Sequence, residues 1–123
     1  MILCKFSVFF MDFYLILFKL LVPDLPPSNI TSIAGDPWSL LVNWNLVPKG
    51  YENGVVTKYG LFYSELNSKE VTNKTFPATK LNTMITGLKD WTPYKLELMA
   101  FTRIGVGPKV VVLSRTRENG KSR

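Results

Sequence analysis

Apolar and polar side chains alternate along the chain after residue 27, and the alternation has a period of two. In the stretch that begins at Leu40, the residues Val42 and Trp44 alternate with Leu41 and Asn43. A period of two is typical of a strand that buries one face, because successive side chains point to opposite sides of a sheet. Leu40, Val42 and Trp44 are therefore predicted to face a core.

Runs of this kind recur along the chain and are separated by clusters of Gly, Pro, Asn and Asp. They are rich in Val, Ile, Tyr, Phe and Thr, as strands are, and no convincing amphipathic helix lies among them. Seven such runs in roughly 90 residues are typical of an all-β, two-sheet antiparallel sandwich. The predicted strands span residues 29–34, 40–45, 56–64, 70–75, 82–86, 94–103 and 109–116.

Residues 1–22 form a different segment, which is almost continuously apolar and is interrupted by Lys5, Asp12 and Lys19. A basic residue followed by an apolar stretch is typical of a signal peptide or a signal anchor. Asp12 disfavours this interpretation, because a carboxylate within a membrane costs about 2.5–3.5 kcal/mol. No small-residue cleavage site follows. A fused segment that is not native to the domain and a packed structural segment are the alternatives.

The remaining boundaries follow changes in composition. Residues 23–27 read "PDLPP", and prolines at this density block both helices and central strands, which predicts a linker. Residues 28–117 are predicted to form the domain, and residues 118–123 are a polar tail that resembles the start of another linker.

The composition excludes several kinds of chemistry. The chain has 123 residues, which suits one domain, and it contains no histidine. Histidine-based acid–base catalysis and histidine metal ligands are therefore excluded. The single cysteine, Cys4, leaves no internal disulfide and no cysteine-based zinc site. The carboxylates are scattered without an acid–base spacing, so we expect no enzymatic activity, no cofactor and no metal.

The formal net charge of +6 favours anionic partners in general. The basic residues of the predicted domain are scattered from Lys49 onward and form no long block, which is typical of solvated strand faces. We therefore expect no nucleic-acid partner. Sulfated glycans are a weaker candidate, and membrane association depends on residues 1–22.

The ordered set of residues from Pro26 to residue 117 resembles a fibronectin type III repeat. The resemblance is carried by a tryptophan in the second predicted strand and by a Leu–Thr–Tyr corner before the sixth. Two departures, Asp90 where the family usually has proline and Pro93 directly before a tyrosine, affect only the local turn. The matching positions are Pro26, Pro27, Leu40, Val42, Trp44, Pro48, Gly54, Val56, Tyr59, Leu61, Tyr63, Gly87, Leu88, Thr92, Tyr94, Ala100 and Gly105–Pro108.

The resemblance and the alternation agree on the core. Trp44 is the largest side chain available to fill the space between two sheets. Tyr94 is placed at a tyrosine corner, where the ring joins the core and the hydroxyl satisfies a backbone group a few residues upstream. The predicted structural core residues are Leu40, Val42, Trp44, Tyr59, Leu61, Leu88, Tyr94, Leu96 and Leu98.

Two Asn-x-Thr triplets begin at Asn29 and Asn73. Both are glycan acceptors if the chain enters the secretory route, because this triplet is the signal for N-glycosylation. Asn73 is the favoured site, since a loop or edge position is the easier acceptor.

The outward residues of the sixth predicted strand suggest a contact surface. If Leu96 and Leu98 face the core, then Met99 and Phe101 face outward. Phe62 faces outward on the third predicted strand, which neighbours the sixth in this fold type. Phe62, Met99 and Phe101 are therefore predicted to form an apolar patch that binds a protein. Coverage of the patch by long Lys and Glu side chains is the alternative.

The end of the chain extends this prediction in two ways. The last predicted strand has apolar residues on both of its faces. Either Val110 and Val112 or Val111 and Leu113 therefore face outward and enlarge the patch. Gly105–Pro108 is predicted to be the turn before that strand. The resemblance places Arg103 and Ile104 in this loop, where fibronectin type III repeats often mediate contacts.

The sequence therefore favours a non-catalytic binding or spacer module of an extracellular receptor or adhesion protein. The resemblance extends to repeats of receptor-type tyrosine phosphatases and cell-adhesion ectodomains, so the expected partners are another protein or neighbouring fibronectin type III modules. The expected location is extracellular or at the cell-surface membrane. A fragment or short isoform of a multi-repeat chain fits this interpretation. The alternative is a short membrane-anchored protein that presents a single domain.

Overall fold

The structure, a computed structural model, describes residues 21–120. Within that part of the chain it contains seven strands and no helix. The signal or anchor prediction covers residues 1–22, and residues 1–20 of that segment, with Cys4 and Asp12, lie outside the described residues, as do residues 121–123. The strands are β1 (Ser28–Ala34), β2 (Leu40–Asn45), β3 (Val56–Glu65), β4 (Thr72–Pro77), β5 (Asn82–Ile85), β6 (Pro93–Thr102) and β7 (Val106–Arg115).

The strands form two sheets, one with the order β1-β2-β5 and one with the order β4-β3-β6-β7. All neighbouring strands are antiparallel. The predicted seven-stranded antiparallel sandwich is therefore confirmed. Near the edge where β1 approaches β7, the Ser32 hydroxyl donates a hydrogen bond of 2.9 Å to the Ser114 hydroxyl and links the two sheets.

The core lies between the sheets and is built from the inward residues of the alternating pattern. Trp44 on β2 contacts the opposite sheet through Tyr59 and Phe76, with ring centroids 5.6 Å and 5.9 Å away. Each of these large side chains removes apolar area from water, which is the main stabilising contribution to the fold. The buried residues include Leu40, Val42, Trp44, Tyr59, Leu61, Leu88, Tyr94, Leu96 and Leu98.

The turn before β6 is held by hydrogen bonds from two directions. The Tyr94 hydroxyl accepts a hydrogen bond of 2.9 Å from the Lys89 backbone N–H, five residues upstream. The buried Thr116 hydroxyl donates to the Lys89 carbonyl at 2.7 Å and accepts from the Thr92 backbone N–H at 2.9 Å. The tyrosine corner therefore forms with Asp90 in the preceding turn.

The start of β7 differs from the prediction. The strand begins at Val106, which pairs with Phe101, so the loop is shorter and Gly105–Pro108 is not the turn. Gly107 makes this path possible, because a side-chain carbon there would lie 2.8 Å from the Pro23 Cβ. Pro108 is tolerated because β7 is an edge strand, where the missing N–H does not remove a hydrogen bond from the interior of the sheet.

β4 spans Thr72–Pro77, two residues later than predicted. Phe76 pairs with Tyr59 on the neighbouring strand β3, and its ring packs against Trp44. Burial of the Phe76 ring therefore extends β4 past Thr75.

Residues 21–27 belong to the folded unit, although the sequence predicts a linker at 23–27. Pro23 and Pro27 are buried. The Leu21 carbonyl accepts a hydrogen bond of 2.6 Å from the Thr102 hydroxyl, and the Val22 carbonyl accepts one of 3.0 Å from the Asn53 side chain. Proline density blocks regular structure, but it does not prevent an extended segment from docking on the domain.

Candidate protein-binding surface

The outer surface of the four-stranded sheet is the candidate binding surface, and we call it the four-stranded face. The pairing of β3 with β6 places Lys58 opposite Phe101, Gly60 opposite Met99 and Phe62 opposite Glu97. The pairing of β6 with β7 adds a third column. The four-stranded face comprises Lys58, Gly60, Phe62, Lys95, Glu97, Met99, Phe101, Lys109, Val111 and Leu113.

The structure decides which residues of β7 belong to this face. Val110 packs against the core, so the alternating residues Val111 and Leu113 point outward. Both are exposed, and Leu113 has 63% of its surface accessible. They lie opposite Glu97 and Lys95 and enlarge the apolar area at the free edge of the sheet.

Met99 is not available as a contact residue, which corrects the prediction. Only 7% of its surface is exposed. Gly60, directly opposite, has no side chain, and a carbon added there would lie 2.9 Å from the Phe101 ring and 3.5 Å from Met99 Cγ. The space above Gly60 is therefore filled by Met99 and Phe101, so an outward side chain becomes buried on the sheet itself.

Phe101 is partly covered as well. The Lys58 Nζ lies 4.8 Å from the centre of its ring, within the range of a cation–π interaction. The alternative that long charged side chains cover the patch therefore applies to this residue. A partner that contacts Phe101 has to displace or share the Lys58 ammonium group.

Phe62 remains accessible, with 36% of its surface exposed. Its cross-strand partner on the edge strand β4 is Asn73, the favoured glycan acceptor, which is also exposed. A glycan at Asn73 would therefore stand beside Phe62 on the same face. Asn29, the other acceptor, is exposed at the start of β1 with a backbone φ of 49°.

Glu97 is the electrostatic centre of the four-stranded face. Its carboxylate is 2.6 Å from the Lys109 Nζ and 3.2 Å from the Lys95 Nζ. The hydrogen bond from Lys109 holds the pKa of Glu97 below its ordinary value, with a smaller contribution from Lys95 and with burial acting in the opposite direction. This triad keeps the centre of the face polar between Phe62 and Val111.

The loop residues Arg103 and Ile104 are exposed at one end of the sandwich. The Thr102 hydroxyl accepts a hydrogen bond of 3.3 Å from the Ile104 backbone N–H. Both residues follow the last residue of β6, so they lie in the loop at the end of the sandwich and are not among the paired residues of the four-stranded face.

Sequence reasoning missed a second apolar surface on the other sheet. Register places Leu41 opposite both Ile33 and Met84, and these three residues form a row across the outer surface. Ile33 is 60% exposed and Met84 is 52% exposed. The signal was present, because alternation directs Leu41 outward, but the pairing that joins it to the other two residues is tertiary information.

Among residues 21–120, no group of three or more His, Cys, Asp or Glu side chains is arranged to hold a metal ion. Within the same range, no helix is long and apolar enough to cross a membrane.

Comparison with known families and structures accords with the fold. The family model for the fibronectin type III domain matches residues 25–115. The third fibronectin III domain of human KIAA0343 superimposes with a TM-score of 0.72 at 22% identity, covering 84% of this chain and 90% of that domain. The FN5 domain of Drosophila Lar gives a TM-score of 0.63 at 22% identity, covering 78% of this chain and 98% of that domain.

Curated relatives are much longer proteins. The chain is 31% identical over 102 residues to tyrosine-protein phosphatase Lar of Drosophila melanogaster. This match covers 82% of this chain and 5% of the relative. It is 31% identical over 105 residues to cell adhesion molecule DSCAM of Homo sapiens, covering 80% of this chain. It is 30% identical over 102 residues to protein sidekick-1 of Gallus gallus. The chain spans about 5% of the length of each of these relatives.

Proposed function

Because the chain belongs to the fibronectin type III family, we propose that it is a non-catalytic binding or spacer module of an extracellular receptor or adhesion protein. The relatives that it matches are phosphatase and adhesion proteins that carry such repeats, and the fibronectin type III domain itself is a non-catalytic module. We further propose that it acts at the cell surface, as one repeat of a longer multi-repeat chain.

The observation that carries the binding role is the composition of the four-stranded face. Phe62, Val111 and Leu113 are exposed there around the charged triad of Glu97. Apolar side chains that are surrounded by polar groups are typical of a protein-contact surface. The partner is therefore expected to be a protein, with apolar side chains for Phe62 and Leu113.

Secretion and glycosylation test the location. Cells with a secretory pathway would express the chain together with the variants Asn73→Gln and Asn29→Gln, and mass would be measured before and after N-glycosidase treatment. We expect a glycosidase-sensitive mass that is lost in Asn73→Gln. Cytosolic retention of an unmodified chain would contradict the extracellular assignment.

Binding to cells tests the surface. Fluorescently labelled chain, unglycosylated, would be titrated onto cells that display adhesion receptors, in parallel with Phe62→Ser. Trp38→Ser, which alters an exposed aromatic residue in the loop between β1 and β2 and outside both outer faces, is the matched control. We expect Phe62→Ser to reduce the bound signal and Trp38→Ser to leave it unchanged. Equal binding by all three folded proteins would contradict the assignment of the four-stranded face as the binding surface.

A further inference from the structure

The Asn-x-Thr triplet that begins at Asn73 lies at the outer edge of the four-stranded face. Asn73 and Thr75 are both exposed on β4, which is an edge strand, and they pair with Phe62 and Gly60 of β3. Residues two apart on a strand point to the same side, so both defining residues of the triplet face away from the core. The acceptor is therefore open to the enzyme that attaches an N-glycan.

The Asn73 amide is also free to carry a sugar. Its side chain forms no hydrogen bond with another part of residues 21–120. N-glycosylation joins the first N-acetylglucosamine to the side-chain nitrogen of asparagine, so this sugar begins at the residue that is paired with Phe62. Directly opposed residues of antiparallel strands have Cβ atoms about 4.5–5.5 Å apart, which places the sugar within reach of the Phe62 ring.

The Phe62 ring lacks the cover that the Phe101 ring has. Lys58 lies over Phe101 at 4.8 Å, whereas in the part of the chain that the structure describes no Lys or Arg lies over Phe62, which is 36% exposed. On the inner side of the sheet Phe62 is paired with Glu97, whose carboxylate is held by two lysines. Its neighbour toward the free edge is the short side chain of Asn73, which leaves room there for a larger group.

A pyranose sugar and an aromatic ring are complementary in shape and charge. One side of N-acetylglucosamine presents mainly C–H groups, whose hydrogens carry a small positive charge. The face of an aromatic ring is negative, so it attracts these hydrogens, and the contact removes apolar surface from water on both partners. The sugar can therefore cover Phe62 as Lys58 covers Phe101.

We propose that an N-glycan on Asn73 packs the apolar side of its first N-acetylglucosamine against the Phe62 ring and thereby regulates the four-stranded face. This inference rests on the proposed extracellular function, because the glycan is attached in the secretory route. With the glycan in place, Phe62 is closed to a protein partner, whereas Val111 and Leu113 stay exposed on β7, at the opposite edge of the sheet. Without the glycan, apolar side chains are open on both sides of Glu97.

Thermal melts of the secreted full chain would test the contact. Thr31→Ala leaves Asn73 as the acceptor and keeps Asn29, whose left-handed φ of 49° asparagine tolerates well. An endoglycosidase then trims the glycan to one N-acetylglucosamine. Adding Thr75→Ala removes the glycan without changing Asn73, and we expect the single sugar to raise the melting temperature by about 2–5 °C over that form. Thr75→Ser, which preserves the triplet, is the matched control and should keep the sugar and the gain.

Two further comparisons assign the gain to the Phe62 ring. Phe62→Leu keeps an apolar side chain but removes the ring, so the sugar on Asn73 should no longer raise the melting temperature. Nuclear magnetic resonance should show C–H protons of the sugar shifted upfield by the ring in wild type and unshifted in Phe62→Leu. A single sugar on Asn29 is the control, because the β1–β2 pairing around it offers only Asn43 and Asn45, and it should change the melting temperature little.

The outcomes separate this inference from the proposed function. An equal gain in wild type and Phe62→Leu, or unshifted sugar protons in wild type, would overturn the contact and leave the extracellular role intact. A secreted chain without a sugar on Asn73 would do the same, whereas retention in the cytosol would overturn both proposals. On cells that bind the unglycosylated chain, the glycosylated chain should give a lower bound signal, and an equal signal would show that the glycan does not close Phe62.

Discussion

The two outer faces of the sandwich differ in how their apolar side chains are covered. On the four-stranded face, Met99 is buried above Gly60 and Lys58 lies over the Phe101 ring. On the three-stranded face, the outer surface of β1, β2 and β5, Ile33 and Met84 stand exposed on either side of Leu41.

Charge accounts for much of this difference. β1, β2 and β5 contain no Asp, Glu, Lys or Arg, whereas the strands of the other sheet carry Lys58, Lys95, Glu97 and Lys109 among others. Long charged side chains can lie over apolar neighbours and keep their charged ends in water. A face without them leaves its apolar row open, and depletion of charge is characteristic of the centres of protein interfaces. The three-stranded face is therefore a second candidate contact surface.

The largest effect on stability is expected in the core, which lies between the two sheets. Trp44→Ala removes the ring that joins β2 to Tyr59 and Phe76, so we expect a loss of about 3–5 kcal/mol in the free energy of unfolding. Chemical denaturation measures it. Trp38→Ala, at an exposed tryptophan, is the control and should change stability by less than about 0.5 kcal/mol. Similar costs for both variants would show that Trp44 is not a core residue.

The two outward methionines compare the faces directly. Met99→Ala should cost about 2 kcal/mol, because it empties a buried site above Gly60. Met84→Ala removes the same atoms from an exposed site on the three-stranded face and should cost less than about 0.5 kcal/mol. Equal costs from denaturant titration would mean that coverage does not distinguish the two faces.

Gly60→Ala tests the gap that buries Met99 and part of Phe101. The added carbon would lie 2.9 Å from the Phe101 ring, so we expect a loss of about 1–3 kcal/mol from crowding. Phe101→Ala in the same chain should restore part of that loss, which a double-mutant cycle would show as coupling. Additive costs would indicate that the ring moves away freely.

The smallest effect is expected at the charged triad. Glu97→Gln should cost about 0.5–1 kcal/mol at neutral pH, discounted because Lys95 and Lys109 are more than a third exposed. The folded-state pKa of Glu97 is lowered, so its contribution is present above the unfolded-state pKa and is lost as the pH falls through the folded-state pKa. Thermal melts should therefore show wild type and variant converging in acid.

Glu65→Gln is the control for that experiment, because Glu65 pairs with the exposed Lys89 alone at 3.3 Å. Its stability difference from wild type at neutral pH should be smaller, because the Lys89 partner is largely exposed to water. A Glu97→Gln difference that persists unchanged in acid would contradict the assignment of the effect to the ion pairs.

Much of the fold follows from the sequence, because burial of one strand face imposes a period of two that is visible in the residues. That period identified Leu96 and Leu98 as inward residues and located every strand to within a few residues. Boundaries moved where a distant residue intervened, as when Pro23 packed against Gly107 and β7 began three residues early.

The candidate surface was less accessible to prediction. The alternation of side chains placed Phe62, Met99 and Phe101 on the same side of the sheet. It carries no information about which residue lies opposite each of them on the neighbouring strand. The absence of a side chain at Gly60 decided that Met99 is buried, and register decided that Lys58 covers Phe101. The choice between the two parities of β7 was likewise settled by the core contact of Val110.

The sequence by itself determined the sandwich, its inward residues and the lack of histidine chemistry, because these depend on local periodicity and on composition. The tertiary structure alone decided which outward residues remain exposed and that residues 21–27 dock on the domain. These features depend on which residues meet across strands and loops, and a one-dimensional pattern does not contain that distance information.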